Sequence, residues 1–152
     1  MIDRAARAAL AGHLRRLASG RLTNAEFDSV RLDRSEDEAL VAISGAGWSL
    51  YDDVFVCRLR GRRALNSQTL DAVARCILFL DSDLPYEWPA RRPTLKGILR
   101  TLLTFGTWLR HDRRRWEASG PFHVWPFFRE SDYARALANP RRLSGRSDED
   151  AA

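Results

Sequence analysis

Two groups of side chains have the residue types of a catalytic site, but neither has the geometry that catalysis needs. His111 is followed directly by Asp112, the types that act as a general base and its orienting acid. On a helix, adjacent side chains point about 100° apart, so Asp112 cannot readily orient His111. Cys76 lies in an apolar helical pattern that offers no activating cation. We therefore predict that the chain is not an enzyme and assign no catalytic residue.

Metal and phosphate sites also lack their usual patterns. The three histidines, His13, His111 and His123, share no ligand spacing. The segment Gly45-Ala46-Gly47 lacks the preceding strand, third glycine and lysine of a phosphate-binding loop. We predict neither a metal nor a cofactor.

Acidic residues near the middle of the chain allow two interpretations. They could converge and hold a cation or an arginine, or they could be solvated helix-end charges and partners of the many arginines. Their spacing matches no calcium loop. These residues are Asp52, Asp53, Asp81, Asp83 and Glu87.

The basic residues suggest a second kind of site. The net charge is +5, and Lys96 is the only lysine among 25 basic residues, a bias that a high-GC genome would also produce. Residues 91–115 are the most basic part, with Trp108 and Trp116 interleaved. Arginine neutralises phosphates and aromatic rings stack on bases, so this region could bind nucleic acid or an anionic membrane surface. The alternative is a buried helix with a positively charged end. The candidate polyanion-binding residues are Arg110, Arg113, Arg114 and Arg115.

Two corners rich in aromatic residues and proline are the most distinctive feature. The first is Tyr86-Glu87-Trp88-Pro89, and the second is Trp125-Pro126-Phe127-Phe128. Aromatic rings fixed by prolines can line a groove for a partner protein, or they can close the ends of a helical core. The candidate protein-binding residues are Tyr86, Trp88, Trp108, Trp125 and Phe127.

Both corners carry a resemblance. The motif Asp83-Leu84-Pro85-Tyr86-Glu87-Trp88-Pro89, with the helix before it, and the motif Trp125-Pro126-Phe127 resemble a group of small bacterial proteins. The resemblance covers about a third of the chain. It implies kinship, but that group has no assigned activity, cofactor or site that could be transferred.

The elements around these motifs are predicted to be helices. Apolar residues recur at helical spacing throughout, including Leu70 in the helix from Asn66 and Tyr51, Phe55 and Leu59 in the helix before it. The predicted capping and stop signals are Asp3, the Thr23–Glu26 capping box with its Leu22–Phe27 staple, Asn66, and Gly20 at the end of the first helix. We expect an all-α fold: a compact single-domain bundle of about five to six helices with two aromatic and proline-rich corners. Residues 1–140 would form the domain and residues 141–152 a polar, flexible tail. The predicted helices cover residues 3–19, a short second helix from Thr23, residues 35–60, residues 66–81, about 94–117, and residues 131–139.

The helix predicted over residues 35–60 contains a weak point. Gly45 and Gly47 lie in its interior, where each glycine costs up to about 1 kcal/mol. It could therefore be bent or split, unless a neighbour packs closely there. Residues 54–57 also suit a short strand, but no comparable partner strand is present.

Together these features favour an interaction protein over an enzyme. No apolar run is long enough for a signal peptide or a membrane span, and Cys57 and Cys76 lack the spacing of redox or metal sites. We expect a cytoplasmic protein that binds another protein through the aromatic corners or the flank of the 94–117 helix. Polyanion binding is the alternative, and a second copy of the chain is a possible partner.

Overall fold

A computed structural model of the 152-residue chain describes residues 1–30, 35–51, 55–89 and 116–140. The fold is all-α, as predicted, and within these ranges there is no strand, only one isolated bridge between Thr23 and Arg58. No helix in the described ranges is long and apolar enough to cross a membrane. The helices are α1 (Arg4–Ala18), α2 (Asn24–Asp28), α3 (Glu38–Trp48), α4 (Ser67–Leu80) and α5 (Glu130–Ala138), with 3₁₀ turns at Gly61–Arg63 and Phe122–Val124.

Several predictions lie outside the described residues. They are the helix predicted over about 94–117, apart from its last two positions, and the tail from residue 141. The following candidate residues also lie outside the described ranges: Trp108, the carboxylates Asp52 and Asp53, the pair His111 and Asp112, and the candidate polyanion-binding residues Arg110, Arg113, Arg114 and Arg115.

The first helix follows its sequence signals closely. The side chain of Asp3 caps α1 by accepting a hydrogen bond from the N–H of Ala6. Leu10, Leu14 and Leu17 form its buried stripe. Gly20 ends the helix with a φ of +65°, a conformation that favours glycine.

The next helix, α2, begins with the predicted capping box. The Thr23 hydroxyl accepts from the N–H of Glu26, and the Glu26 carboxylate accepts from the N–H of Thr23. The predicted staple residues Leu22 and Phe27 are both buried.

The third helix is shorter than predicted at both ends. Its N-cap is Asp37, whereas the hydroxyl of Ser35 accepts a hydrogen bond from the N–H of Asp37. The helix passes through Gly45 and Gly47 but ends at Trp48, so the prediction that it continues to Arg60 is wrong. Residues 55–57 instead hydrogen-bond to Asn24, and these long-range bonds replace the helical ones. The alternative of a strand over residues 54–57 is not seen in the described part of that segment.

The fourth and fifth helices complete the core. Asn66 caps α4 as predicted, but its buried face is Val73, Cys76, Phe79 and Leu80, whereas Leu70 on the predicted stripe is 43% exposed. Helix α4 packs against α1 and α5. Helix α5 begins at Glu130, one residue before the predicted Ser131.

Candidate functional site

The two aromatic corners pack against each other. The indole N–H of Trp88 donates to the Phe127 carbonyl over 3.0 Å, and that of Trp125 donates to the Tyr86 hydroxyl over 3.2 Å. Trp88 is 2% exposed and Phe127 0%, while Tyr86 and Trp125 are half-buried. The rings of Trp88 and Phe127 therefore fill the end of the core in this structure, which is the second of the two interpretations offered for the corners.

Ring contacts extend this cluster around Trp88. The ring centroids of Trp116, Phe128 and Phe122 lie 4.9, 5.6 and 6.3 Å from that of Trp88. Gly120 makes the arrangement possible, because a Cβ at this position would lie 3.2 Å from both Phe128 and Trp88. Trp88, at the centre of these contacts, is 2% exposed, so its ring is covered in this arrangement.

The acidic residues around the first corner pair with arginines. Asp81 accepts from Arg15 at 2.7 Å, and Asp83 lies 3.0 Å from Arg4. Glu87 receives both terminal nitrogens of Arg129, each at 2.7 Å. In the described ranges no three His, Cys, Asp or Glu side chains gather as metal ligands would. In the structure these three carboxylates, Asp81, Asp83 and Glu87, are therefore partners of arginines.

Cys76 is placed where a thiol cannot act as a nucleophile. Its side chain is buried in α4, and desolvation raises the pKa of the thiol to about 12, an effect that nearby Arg75 only partly offsets. A thiol with this pKa stays protonated at neutral pH. Its side chain is part of the hydrophobic core.

A pocket of about 310 Å³ opens among residues that follow α3 in the chain. Its volume is at the small end of the roughly 300–1,000 Å³ typical of ligand pockets, enough for one or two side chains. We call it the apolar pocket. It is lined by Leu50, Tyr51, Phe55, Cys57, Leu59 and Arg63.

One wall of the apolar pocket is fixed by Asn24. This asparagine is 3% exposed, and its amide group donates to the Phe55 carbonyl at 2.9 Å and accepts from the Cys57 N–H at 2.8 Å. Its own N–H donates to the Cys57 carbonyl at 3.1 Å. Three hydrogen bonds to an otherwise irregular segment hold residues 55–57 in one conformation.

The opposite wall rests on Phe27. The ring of Tyr51 meets that of Phe27 edge-on at 6.3 Å, and the Tyr51 hydroxyl donates to Asp28. Gly47 lies directly under Phe27, since a Cβ there would come within 2.6 Å of the ring. This close approach is the reason why α3 contains a glycine at this position.

Large apolar side chains are exposed at the pocket. Phe55 is 64% exposed and Val56 72%, although their backbone is held by buried Asn24. An arginine-rich turn follows at once, with Arg58, Arg60, Arg62 and Arg63 all exposed. Apolar surface held out to solvent by a fixed backbone is a feature of interaction sites.

Comparison of the chain with protein-family models, curated proteins and solved structures found no significant match. The kinship suggested by the two corner motifs therefore stays a prediction.

The residues of the apolar pocket were not among those singled out from the sequence. Tyr51, Phe55 and Leu59 were assigned to the apolar stripe of a long third helix; Leu59 is buried, but this assignment missed the exposure of Phe55. One sequence signal pointed to this region: four arginines within residues 58–63, directly after the apolar run 54–57. Four arginines so close together are not expected on the buried face of a helix.

Proposed function

We propose that the protein is a non-enzymatic interaction protein of the bacterial cytoplasm that binds another protein at the apolar pocket. The observation that carries this proposal is the exposure of Phe55 and Val56 on a backbone held by the buried side chain of Asn24. A preordered site binds with a smaller entropic cost than a flexible loop does.

The lining of the pocket supports binding over catalysis. Of its described side chains, none is a carboxylate or an imidazole, the groups that most often transfer protons in active sites. Its size suits the side chains of a protein segment, which are the usual anchors of a protein–protein contact. The aromatic corners, which were the first candidates for such a contact, have a structural role in this proposal.

The test compares two exposed apolar positions. Phe55→Ser alters the pocket, whereas Leu137→Ser alters α5, where Leu137 is 55% exposed. Each variant and the wild type are immobilised and incubated with native lysate, and the captured proteins are quantified by mass spectrometry. A stoichiometric protein retained by wild type and Leu137→Ser but lost with Phe55→Ser is the expected result. Equal capture by both variants, or no stoichiometric protein at all, would reject the proposal.

A further inference from the structure

Six exposed arginines gather beside the apolar pocket. The backbone brings them together: the N–H of Arg21 donates to the Arg16 carbonyl, and the guanidinium of Arg58 donates to the Arg21 carbonyl. The side chain of Arg60 lies over Gly20, where a Cβ would come within 2.4 Å of it. We call these six the arginine cluster: Arg16, Arg21, Arg58, Arg60, Arg62 and Arg63.

The arginine cluster has no carboxylate partner in the part of the chain that the structure describes. Elsewhere in these ranges Arg4, Arg7, Arg15, Arg129 and Arg135 each form an ion pair, but no member of the cluster does.

Glu26 is an acid whose charge interacts with two members of the cluster, Arg58 and Arg16. Its carboxylate is already engaged by the N–H and hydroxyl of Thr23, which lower its pKa, with smaller contributions from Arg58 and Arg16. Among the described residues no ion pair neutralises the cluster, so its like charges repel one another and favour binding of an anion.

The pocket and the arginine cluster form one continuous surface. Arg63 lines the pocket, and Leu59, another lining residue, stands between Arg58 and Arg60. Residues 55–63 contain four arginines and no carboxylate. A ligand for this surface must therefore present a large apolar side chain and negative charge within a few residues of each other.

From this juxtaposition we propose that the partner segment is an acidic peptide. It places one large apolar side chain in the pocket and adjacent Asp or Glu residues on the arginine cluster. Guanidinium groups bind carboxylates through paired hydrogen bonds, which gives such a contact both strength and direction. This inference rests on the proposed function and adds the chemistry of the partner.

A nucleic acid fits the same surface less well. Its phosphates would neutralise the arginines, but bases bind by stacking on aromatic faces. Phe55 and Tyr51 are aromatic, but Leu50, Cys57 and Leu59 complete the lining of a concave pocket, which suits one apolar amino-acid side chain better than a row of stacked bases. The proposed peptide contacts both the apolar pocket and the arginine cluster.

The test is a selection of random 16-residue peptides displayed on phage against the full-length protein. Enriched sequences are expected to combine Asp and Glu with a neighbouring Phe, Trp, Leu or Ile. A labelled peptide from the most enriched group is then titrated by fluorescence anisotropy, beside a labelled RNA of twelve uridines. Binding should fall steeply with salt, and the peptide should bind more tightly than the RNA.

Two matched substitutions locate the charge contact. Arg63→Glu and Arg135→Glu change the net charge equally, but only Arg63 belongs to the cluster. We expect Arg63→Glu to weaken the acidic peptide at least about tenfold and Arg135→Glu less than about threefold. Circular dichroism of both variants checks that the fold is retained.

The other outcomes would reject the acidic partner, the proposed function or both. Enriched peptides that lose binding with Phe55→Ser but carry no acidic residues would contradict the proposal of an acidic partner. They would not contradict the proposed function. No enriched peptide, or only peptides whose binding ignores Phe55→Ser, would overturn both. RNA that binds more tightly than every peptide, and loses affinity with Arg63→Glu, would identify a nucleic-acid surface instead.

Discussion

The guanidinium of Arg7 forms two hydrogen bonds with the carboxylate of Asp37, from Nε to Oδ2 at 2.6 Å and from Nη2 to Oδ1 at 2.9 Å, and both side chains are almost completely buried. The remaining nitrogen of Arg7 donates to the carbonyls of Ser82 and Leu84. The guanidinium also lies 5.4 Å from the centre of the Phe79 ring. One residue thus connects α1, the start of α3, and the end of α4 with the segment that follows it.

Removing one partner of this pair should destabilise the protein strongly. In Asp37→Ala the Arg7 charge stays buried without its counter-charge, and α3 loses its N-cap. We expect a loss of about 3–5 kcal/mol in the free energy of unfolding, measured by urea denaturation. The double variant Arg7→Met with Asp37→Ala should recover part of that loss, because it leaves no unpaired charge. A loss below about 1 kcal/mol in the single variant would show that the pair contributes little.

The same pair should make stability depend on acidity. Burial alone would raise the pKa of Asp37, but the hydrogen bonds from Arg7 and from the N–H groups of Asp3 and Ala39 outweigh it and hold the pKa below its ordinary value. The folded state therefore favours the ionised carboxylate. This stabilisation is complete above the ordinary pKa of about 4 and is lost as the pH falls through the folded value.

Measuring unfolding free energy between neutral pH and pH 2 checks this dependence. The stability difference between wild type and Asp37→Asn should be largest near neutrality and shrink below about pH 4. A difference that stays constant over this range would contradict the lowered pKa.

Two glycines in α3 should respond in opposite ways to the same substitution. At Gly47 an added methyl group meets the Phe27 ring at 2.6 Å, so Gly47→Ala should cost about 1–3 kcal/mol through overpacking. At Gly45 a Cβ meets nothing within 4 Å, so Gly45→Ala should stabilise the helix by about 0.5–1 kcal/mol. Thermal unfolding of the two variants decides this, and effects of the same sign would contradict the packing described.

The two cysteines should differ in reactivity. Cys57 is half-buried on the wall of the apolar pocket, whereas Cys76 is buried and its pKa is raised to about 12. At pH 8, Ellman's reagent should modify one thiol readily in the native protein and the second only after denaturation. Cys57→Ser should abolish the fast phase and Cys76→Ser should keep it. Two equally fast thiols would show that the α4 face is not buried.

The sequence predicted the elements whose signals are local. The Thr23–Glu26 capping box, the Asn66 cap and Gly20 are each set by interactions within a few residues, and all three are present as predicted. The end of α3 could not be predicted in this way. It depends on Asn24, which binds residues 55–57 from more than thirty positions away along the chain.

The same distinction applies to the candidate site. The aromatic corners are conspicuous in the sequence, but whether Trp88 and Phe127 face a partner or each other depends on long-range packing. The apolar pocket was missed because the helical spacing of Tyr51, Phe55 and Leu59 indicated a buried stripe. The helix ends at Trp48, and the Asn24 side chain then binds residues 55–57 in a non-helical conformation.

Photocrosslinking at position 55 is a direct test of whether the apolar pocket binds another protein. A benzophenone amino acid is introduced at Phe55 or, as a control of similar exposure, at Leu137, and living cells that produce each variant are irradiated. We expect a discrete crosslinked protein from position 55 and none from position 137. No adduct at position 55, or the same adducts from both positions, would contradict the assignment of the apolar pocket as the binding site.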